Sequence, residues 1–291
     1  MRVLIVIPHV FNPDGGGKYA SLSADPQPRI LALTECVRAL HGLYGSDQIY
    51  FKYDRHQLYQ LPANQNPSMQ VDIIIATTQG LHVLDRLPVT SDFYQHHPTD
   101  CDPMLLGFQC HGILKKNLGA YDYYGYLEDD LILHDPAFFQ KLRWFNSSVG
   151  DGWVLQPNRF EWVQEANLIR KNYIDPELLF KTGQPGEFAH YFTDNLTILA
   201  RLMGEEIVIK RAENPHSGCF FLNQKQMEYW AIQDYFGQID CRFFGPLESA
   251  ASLGLARTFR IYKPAPANAN FLEIQHFGDK WSDKIKNTVF Y

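Results

Sequence analysis

The chain has 291 residues, 45% hydrophobic and 20% charged, an ordinary globular composition that excludes a disordered protein. Its formal charge of −6 provides no broad cationic field, so a nucleic acid held through its phosphates is not an expected partner. The five cysteines, at positions 36, 101, 110, 219 and 241, are odd in number and contain no C-x-x-C pair, which argues for reduced thiols rather than a disulfide framework or zinc knuckle.

Taken in chain order, the apolar run 3–7 is too short for a signal-peptide core and reads as a first strand. No uninterrupted apolar stretch approaches the roughly 20 residues of a membrane helix, so the expected location is cytoplasmic, with peripheral membrane contact left open. Ile30, Leu33, Val37 and Leu40 recur at helical spacing, and a helix ending near Gly42 is predicted. The β-branched runs 48–53 and 71–77 then read as buried parallel strands joined by crossover helices. After a Pro- and His-bearing loop, 87–103, a second helix is predicted at about 104–118, then a strand at 123–127. Asp135-Pro136 starts a helix carrying Phe138, Phe139, Leu142 and Phe145. Strands are expected at 153–155, 196–199 and 207–210. Asn223 and Gln226 form a capping-box pattern, and Pro246 opens a further helix through Leu253. The expectation is an α/β fold with a mostly parallel central sheet flanked by helices and a mixed second half. Residues 1–291 are read as one domain with two halves, 1–135 and 136–291.

The chemistry-bearing feature is Glu128-Asp129-Asp130 at the end of the predicted strand 123–127. Three adjacent acids at the mouth of a parallel sheet repel one another, and if enclosed they require a cation or a set of donors. Strand alternation would put Glu128 and Asp130 on one side with Asp129 facing away. Oxygen ligands with open positions suit Mg²⁺ or Mn²⁺, which can bridge the phosphates of a nucleoside diphosphate. The competing reading is a solvated loop whose carboxylates bond backbone amides.

The stretch Tyr126-Leu127-Glu128-Asp129-Asp130-Leu131-Ile132 resembles the DxD-type motif of GT-A glycosyltransferases. Downstream, His216-Ser217-Gly218-Cys219-Phe220-Phe221-Leu222, followed by Phe244-Gly245-Pro246-Leu247-Glu248-Ser249-Ala250, is similar to the acceptor-side region of inverting, family 2-like members. Gln275-His276-Phe277-Gly278 stands where several GT-A enzymes supply a histidine to the metal. The resemblance implies a GT-A-like fold, with 1–135 as a nucleotide-sugar-binding half and 136–291 as an acceptor-side half, and transfer of a sugar from a nucleotide-sugar donor to an acceptor hydroxyl. It further implies Asp130 and His276 as metal ligands, Glu128 or Asp129 assisting donor or metal, and Glu248 as general base with inversion at the anomeric carbon. Glu248 also falls in the first turn of a helix, where a carboxylate is stabilised without catalysis.

Two more residues are candidate donor contacts. Lys18, after Asp14-Gly15-Gly16-Gly17, would bring charge to a diphosphate, although the segment lacks P-loop spacing and also reads as a turn. Asp72 would touch base or ribose, or stand as a strand-end carboxylate in solvent. His96-His97 with Asp100 and Asp102 reads as an exposed loop, and Asp194-Asn195 and Asn158-Arg159-Phe160-Glu161-Trp162 are polar and aromatic patches suited to an acceptor sugar. The alternatives are a metal-dependent nucleotidyltransferase and a non-catalytic nucleotide- or sugar-binding module.

Overall fold

The computed structural model describes residues 1–16, 20–64, 69–165, 167–175 and 197–285. In chain order the first half contains β1 (Arg2–Pro8), α1 (Gln27–Tyr44), β2 (Ile49–Asp54), β3 (Gln57–Pro62), β4 (Gln70–Thr78), β5 (Gln95–Thr99), α2 (Leu106–Lys116), β6 (Tyr123–Leu127) and β7 (Leu131–Ile132). There follow α3 (Phe138–Val149), β8 (Trp153–Leu155), β9 (Asn158–Glu165), β10 (Leu168–Tyr173), β11 (Thr197–Leu202) and β12 (Glu205–Arg211). The chain continues through β13 (Cys219–Asn223), α4 (Gln224–Ala231), α5 (Pro246–Thr258), β14 (Arg260–Pro264), β15 (Glu273–His276) and α6 (Lys280–Ile285).

The central sheet has the order β13-β6-β1-β4-β5, with β6, β1, β4 and β5 parallel and β13 antiparallel. This is the expected α/β arrangement: a mostly parallel, Rossmann-like sheet flanked by helices. Its two faces follow from strand alternation. Val3, Ile5 and Ile7 pack with Leu33, Cys36, Val37 and Leu40 of α1. Leu4 and Val6 point the other way, into a core with Cys110 and Leu114 of α2 and Leu253 and Leu255 of α5. The helical spacing read at Leu33, Val37 and Leu40 thus buries one face of α1, each large apolar side chain contributing roughly 1.5–3 kcal/mol. Gly125 is required on the crowded face, since a Cβ there would lie 2.6 Å from Ile5 and 2.9 Å from Phe221.

The second half is mixed, as expected. One sheet has the order β11-β12-β14-β8, and another has the order β10-β9-β15-β7. The capping box at α4 forms in full, with Asn223 accepting from the Gln226 amide and the Gln226 side chain accepting from the Asn223 amide. Two expectations are corrected. The run at 48–53 is not a buried parallel strand: β2 turns back through Arg55 and His56, both at positive φ, and pairs with β3 in a hairpin whose residues are all exposed. The segment carrying His96 and His97 is not a loop but the edge strand β5, where Pro98 costs no central ladder bond.

Candidate active site

In the central sheet the chain leaves β1 towards β4 and β5 on one side and later returns to β6 on the other. That reversal opens a crevice beyond the carboxyl ends of β1 and β6, the usual ligand position in open α/β sheets. His9 follows β1 and Glu128-Asp129-Asp130 follows β6, so both flank the crevice.

Asp129 spans it. The Val83 amide donates to His9 Nε2 at 3.2 Å, which leaves the ring proton on Nδ1, and Nδ1 donates to Asp129 Oδ2 at 2.5 Å. Arg29, in the first turn of α1, donates to the other oxygen of Asp129 and reaches Asp130 Oδ2 at 3.4 Å. His9, Arg29 and Asp129 are all buried. Burial works against ionisation of Asp129, but Arg29 and His9 outweigh it and hold the carboxyl below its ordinary range. Both Asp129 oxygens are therefore engaged by the protein.

Asp130 is placed differently. β7 runs antiparallel to β15 with Leu131 opposite His276, and the Phe277 amide extends the pairing by donating to the Asp130 carbonyl at 2.8 Å. The register brings His276 Nε2 to 3.8 Å from Asp130 Oδ2. His276 Nδ1 is bonded to Glu161 Oε1 at 2.8 Å, and buried Glu161 also accepts from the amides of Trp281 and Ser282. Burial lowers the His276 pKa, yet Asp130 and Glu161 more than offset it and leave it raised. Asp130 Oδ1 is buried and has no hydrogen-bond partner among the described residues.

Glu128 is fixed by its amide, which donates to the Gly218 carbonyl at 3.0 Å as β13 pairs with β6. Gly218 has φ +62°, and a Cβ there would come within 2.7 Å of Glu128 Oε2, so glycine is required on both counts. Loss of solvent, then the charges of Asp130 and Glu248, push the Glu128 carboxyl up to about 8 against the opposing influence of Arg159 and His276. Glu248 lies in the first turn of α5, partly buried, with its carboxylate folded over Gly245.

Glu128, Asp129, Asp130, Glu248 and His276 thus fall in one neighbourhood. Asp72 does not. It aligns with Leu4 near the amino ends of the strands and accepts from Arg2 at 3.1 Å, because a residue at the start of a parallel strand faces the end remote from the crevice. Lys18 and Asp194-Asn195 lie outside the described residues.

Residues that sequence reasoning missed, or assigned elsewhere, surround this set. Arg159 donates through Nε and Nη2 to Asp175 at 2.9 and 2.7 Å, and Lys263 donates to the same carboxylate at 3.1 Å. Burial opposes the Asp175 charge, but these two cations hold its carboxyl well below the usual range. Arg159 and Glu161, read as part of an acceptor patch, instead point inward. His9 and Arg29 carried only a positional signal, one following the first strand and the other opening the first helix.

Asp130, with one orphaned carboxylate oxygen, and His276, whose second nitrogen is held by a carboxylate, are side chains that could hold a hard divalent cation leaving positions open for phosphate oxygens or water. Among the described residues no group of three or more His, Cys, Asp or Glu side chains converges on one point.

No protein-family model and no curated protein matches the chain. Among solved structures it is similar to S. aureus TarS, with 8% identity and a TM-score of 0.48 over 100% of this chain and 41% of that one. A shorter TarS, residues 1–349 in complex with UDP, matches at 7% identity and TM-score 0.46, over 98% of this chain and 63% of that one. A Bacillus anthracis protein assigned as a glucose-1-phosphate thymidylyltransferase, in complex with sucrose, matches at 12% identity and TM-score 0.41, over 100% of this chain and 98% of that one. The chain therefore spans well under two thirds of the full TarS chain. None of its described helices is long and apolar enough to cross a membrane.

Proposed function

We propose that this chain, acting as one unit over residues 1–291, is a metal-dependent glycosyltransferase that moves a sugar from a nucleoside-diphosphate donor to an acceptor hydroxyl with inversion. The observation that carries the reading is the approach of His276 Nε2 to Asp130 Oδ2 at 3.8 Å, beside a buried, unpartnered Asp130 Oδ1, at the sheet's switch point. Asp130 and His276 would hold Mn²⁺ or Mg²⁺, which when bound neutralises the charge of a departing diphosphate. Glu161 orients the His276 ring through Nδ1, so that Nε2 faces Asp130. Asp129, with both oxygens taken by His9 and Arg29, fixes the acidic turn rather than touching the donor.

Glu128 stands close enough to Asp130 for the two carboxylates to repel, and there it would assist the donor or the cation. Glu248 is the candidate base that takes the proton of the attacking hydroxyl; its position within the electrostatic reach of Glu128 supports that role. A Lys18 contact to phosphate belongs to the same proposal, whereas an Asp72 contact does not.

The test is thermal unfolding with UDP-, GDP-, CMP- and dTDP-sugars in Mn²⁺, Mg²⁺ or chelator, followed by product analysis with the stabilising donor. A cation-dependent rise with one donor, absent in Asp130→Ala, and release of the nucleoside diphosphate on sugar transfer are expected. Transfer of the nucleotide instead would assign the nucleotidyltransferase chemistry, and binding without turnover would assign a binding module.

A further inference from the structure

The β2–β3 hairpin presents more apolar surface than any solvent-facing ribbon needs. All twelve of its strand residues are exposed, and seven of them are large apolar or aromatic: Ile49, Tyr50, Phe51, Tyr53, Leu58, Tyr59 and Leu61. A two-stranded ribbon standing alone in water is at best marginally stable, and a contiguous apolar face of this kind marks an interaction surface.

Pairing sorts the side chains into two faces. Ile49 lies opposite Pro62, Phe51 opposite Gln60 and Tyr53 opposite Leu58, and these six residues share one face. None of them is charged. The other face carries the charged Lys52 and Asp54 together with Tyr50, Gln57, Tyr59 and Leu61. The ribbon is a built feature rather than a frayed loop: its base is tied by Gln48, whose side chain donates to the carbonyls of Gly42 and Gly45 at 3.1 and 3.2 Å and whose carbonyl accepts from Ala63 at 2.8 Å.

We infer that the uncharged face of this hairpin docks against the same face of a second copy of the chain. A two-fold contact places a patch against itself, and a face without charged side chains adds no charge of its own to the contact between two chains of net charge −6. Ile49, Phe51, Tyr53 and Leu58 are 50–69% exposed. Aromatic side chains such as Phe51 and Tyr53 offer about 150–250 Å² each, and with the smaller Ile49 and Leu58 the face presents at most on the order of 500 Å² per copy. A pair then buries up to about 1,000 Å² in total, the lower bound for a specific interface. Two ribbons packed face to face form a four-stranded sandwich with the four apolar side chains of each copy inside.

A bilayer fits less well. The tip of the hairpin is Asp54-Arg55-His56-Gln57, and inserting the apolar flank would drag those polar groups into the membrane. The hairpin also leaves the fold between the end of α1 and the start of β4, at the amino ends of the sheet strands, so a pair joined there leaves the crevice beyond their carboxyl ends open in both copies.

The experiment is light scattering on the size-fractionated 291-residue chain between about 1 and 100 µM, with Phe51→Glu and Tyr53→Glu as test variants and Lys52→Glu, on the other face, as control. We expect the native chain and Lys52→Glu to reach twice the 33.6 kDa chain mass as concentration rises, and both test variants to remain at the single-chain mass with unchanged far-ultraviolet circular dichroism. The substituted side chains are exposed and outside the core, so loss of fold does not account for loss of the pair. A native chain that stays single at 100 µM, or a pair that survives both test substitutions, overturns the proposal. So does a single-chain native protein that floats with phosphatidylcholine–phosphatidylserine vesicles, which would assign the face to a membrane.

Discussion

Asp130 and His276 lie 146 positions apart in the chain yet face one another at 3.8 Å, because the β7–β15 ladder puts His276 beside Leu131 and the Phe277 amide on the Asp130 carbonyl. We expect His276→Gln and Asp130→Ala each to remove the cation-dependent rise in melting temperature produced by a nucleotide donor. Glu161→Gln acts one step back, through the orientation of the imidazole, and should weaken cation affinity about 10- to 100-fold. Titration calorimetry of Mn²⁺ in the presence of the nucleotide measures all three.

Arg29 neutralises an enclosed carboxylate, and its removal leaves Asp129 buried with only His9 to compensate. Arg29→Met should cost about 3–5 kcal/mol of stability, as breaking one side of a buried pair does. The double variant Arg29→Met/Asp129→Asn should cost less than the sum of the two single changes, because the uncompensated charge is then gone. Urea unfolding of the four proteins gives the coupling directly.

The catalytic role of Glu248 separates from its helix-end role in one substitution. Glu248→Gln should keep donor and cation binding but lower the transfer rate by about 10²- to 10⁴-fold, the range for loss of a general base. An unchanged rate would leave Glu248 as a carboxylate that caps the start of α5 and nothing more.

Much of this arrangement was legible along the chain, for identifiable reasons. The unbroken apolar run of β6 ending in three acids, the Asn223–Gln226 capping box and Pro246 at the start of α5 are local signals, and local signals survive folding. The hairpin was misread because the residues at 49–54 have the β-branched and aromatic content of a buried strand. Only the positive φ values of Arg55 and His56 reveal that the chain turns back there, and neither is the Asn or Gly that usually marks such a turn. His9, Arg29, Glu161 and the Arg159–Asp175–Lys263 cluster were beyond reach, since their importance lies in partners from 16 to 121 positions away. Strand alternation does not govern the acids, because β6 ends at Leu127, Asp129 and Asp130 lie in the turn to β7, and Arg29 of α1 reaches both.

His111 makes the protein's stability sensitive to mild acid. The ring is buried on α2 among Phe108, Tyr126, Phe220, Trp230 and Phe236, with Trp230 nearest at 4.8 Å between ring centres. Its Nε2 donates to the Ala250 carbonyl at 2.9 Å, which makes Nδ1 the unprotonated nitrogen, and Nδ1 is buried with no partner among the described residues. Burial lowers the His111 pKa from an ordinary 6.5 to about 4, with the bond to Ala250 opposing. The unfolded chain takes up the proton near 6.5 and the folded chain does not until about 4. Between those values the unfolded state binds more protons, so the contribution of neutral His111 is fully present above 6.5 and is lost as pH falls towards 4. The loss is on the order of 3 kcal/mol. His216, also buried with a lowered pKa, adds to the same fall, so the His111 share must be read by difference. His111→Leu should be less stable than the native chain at neutral pH, because the bond to Ala250 is gone, but its urea midpoint should decline less between pH 6.5 and 4.5. Parallel declines in the two proteins would mean that His111 carries its proton in the folded state, and would assign the acid sensitivity to His216.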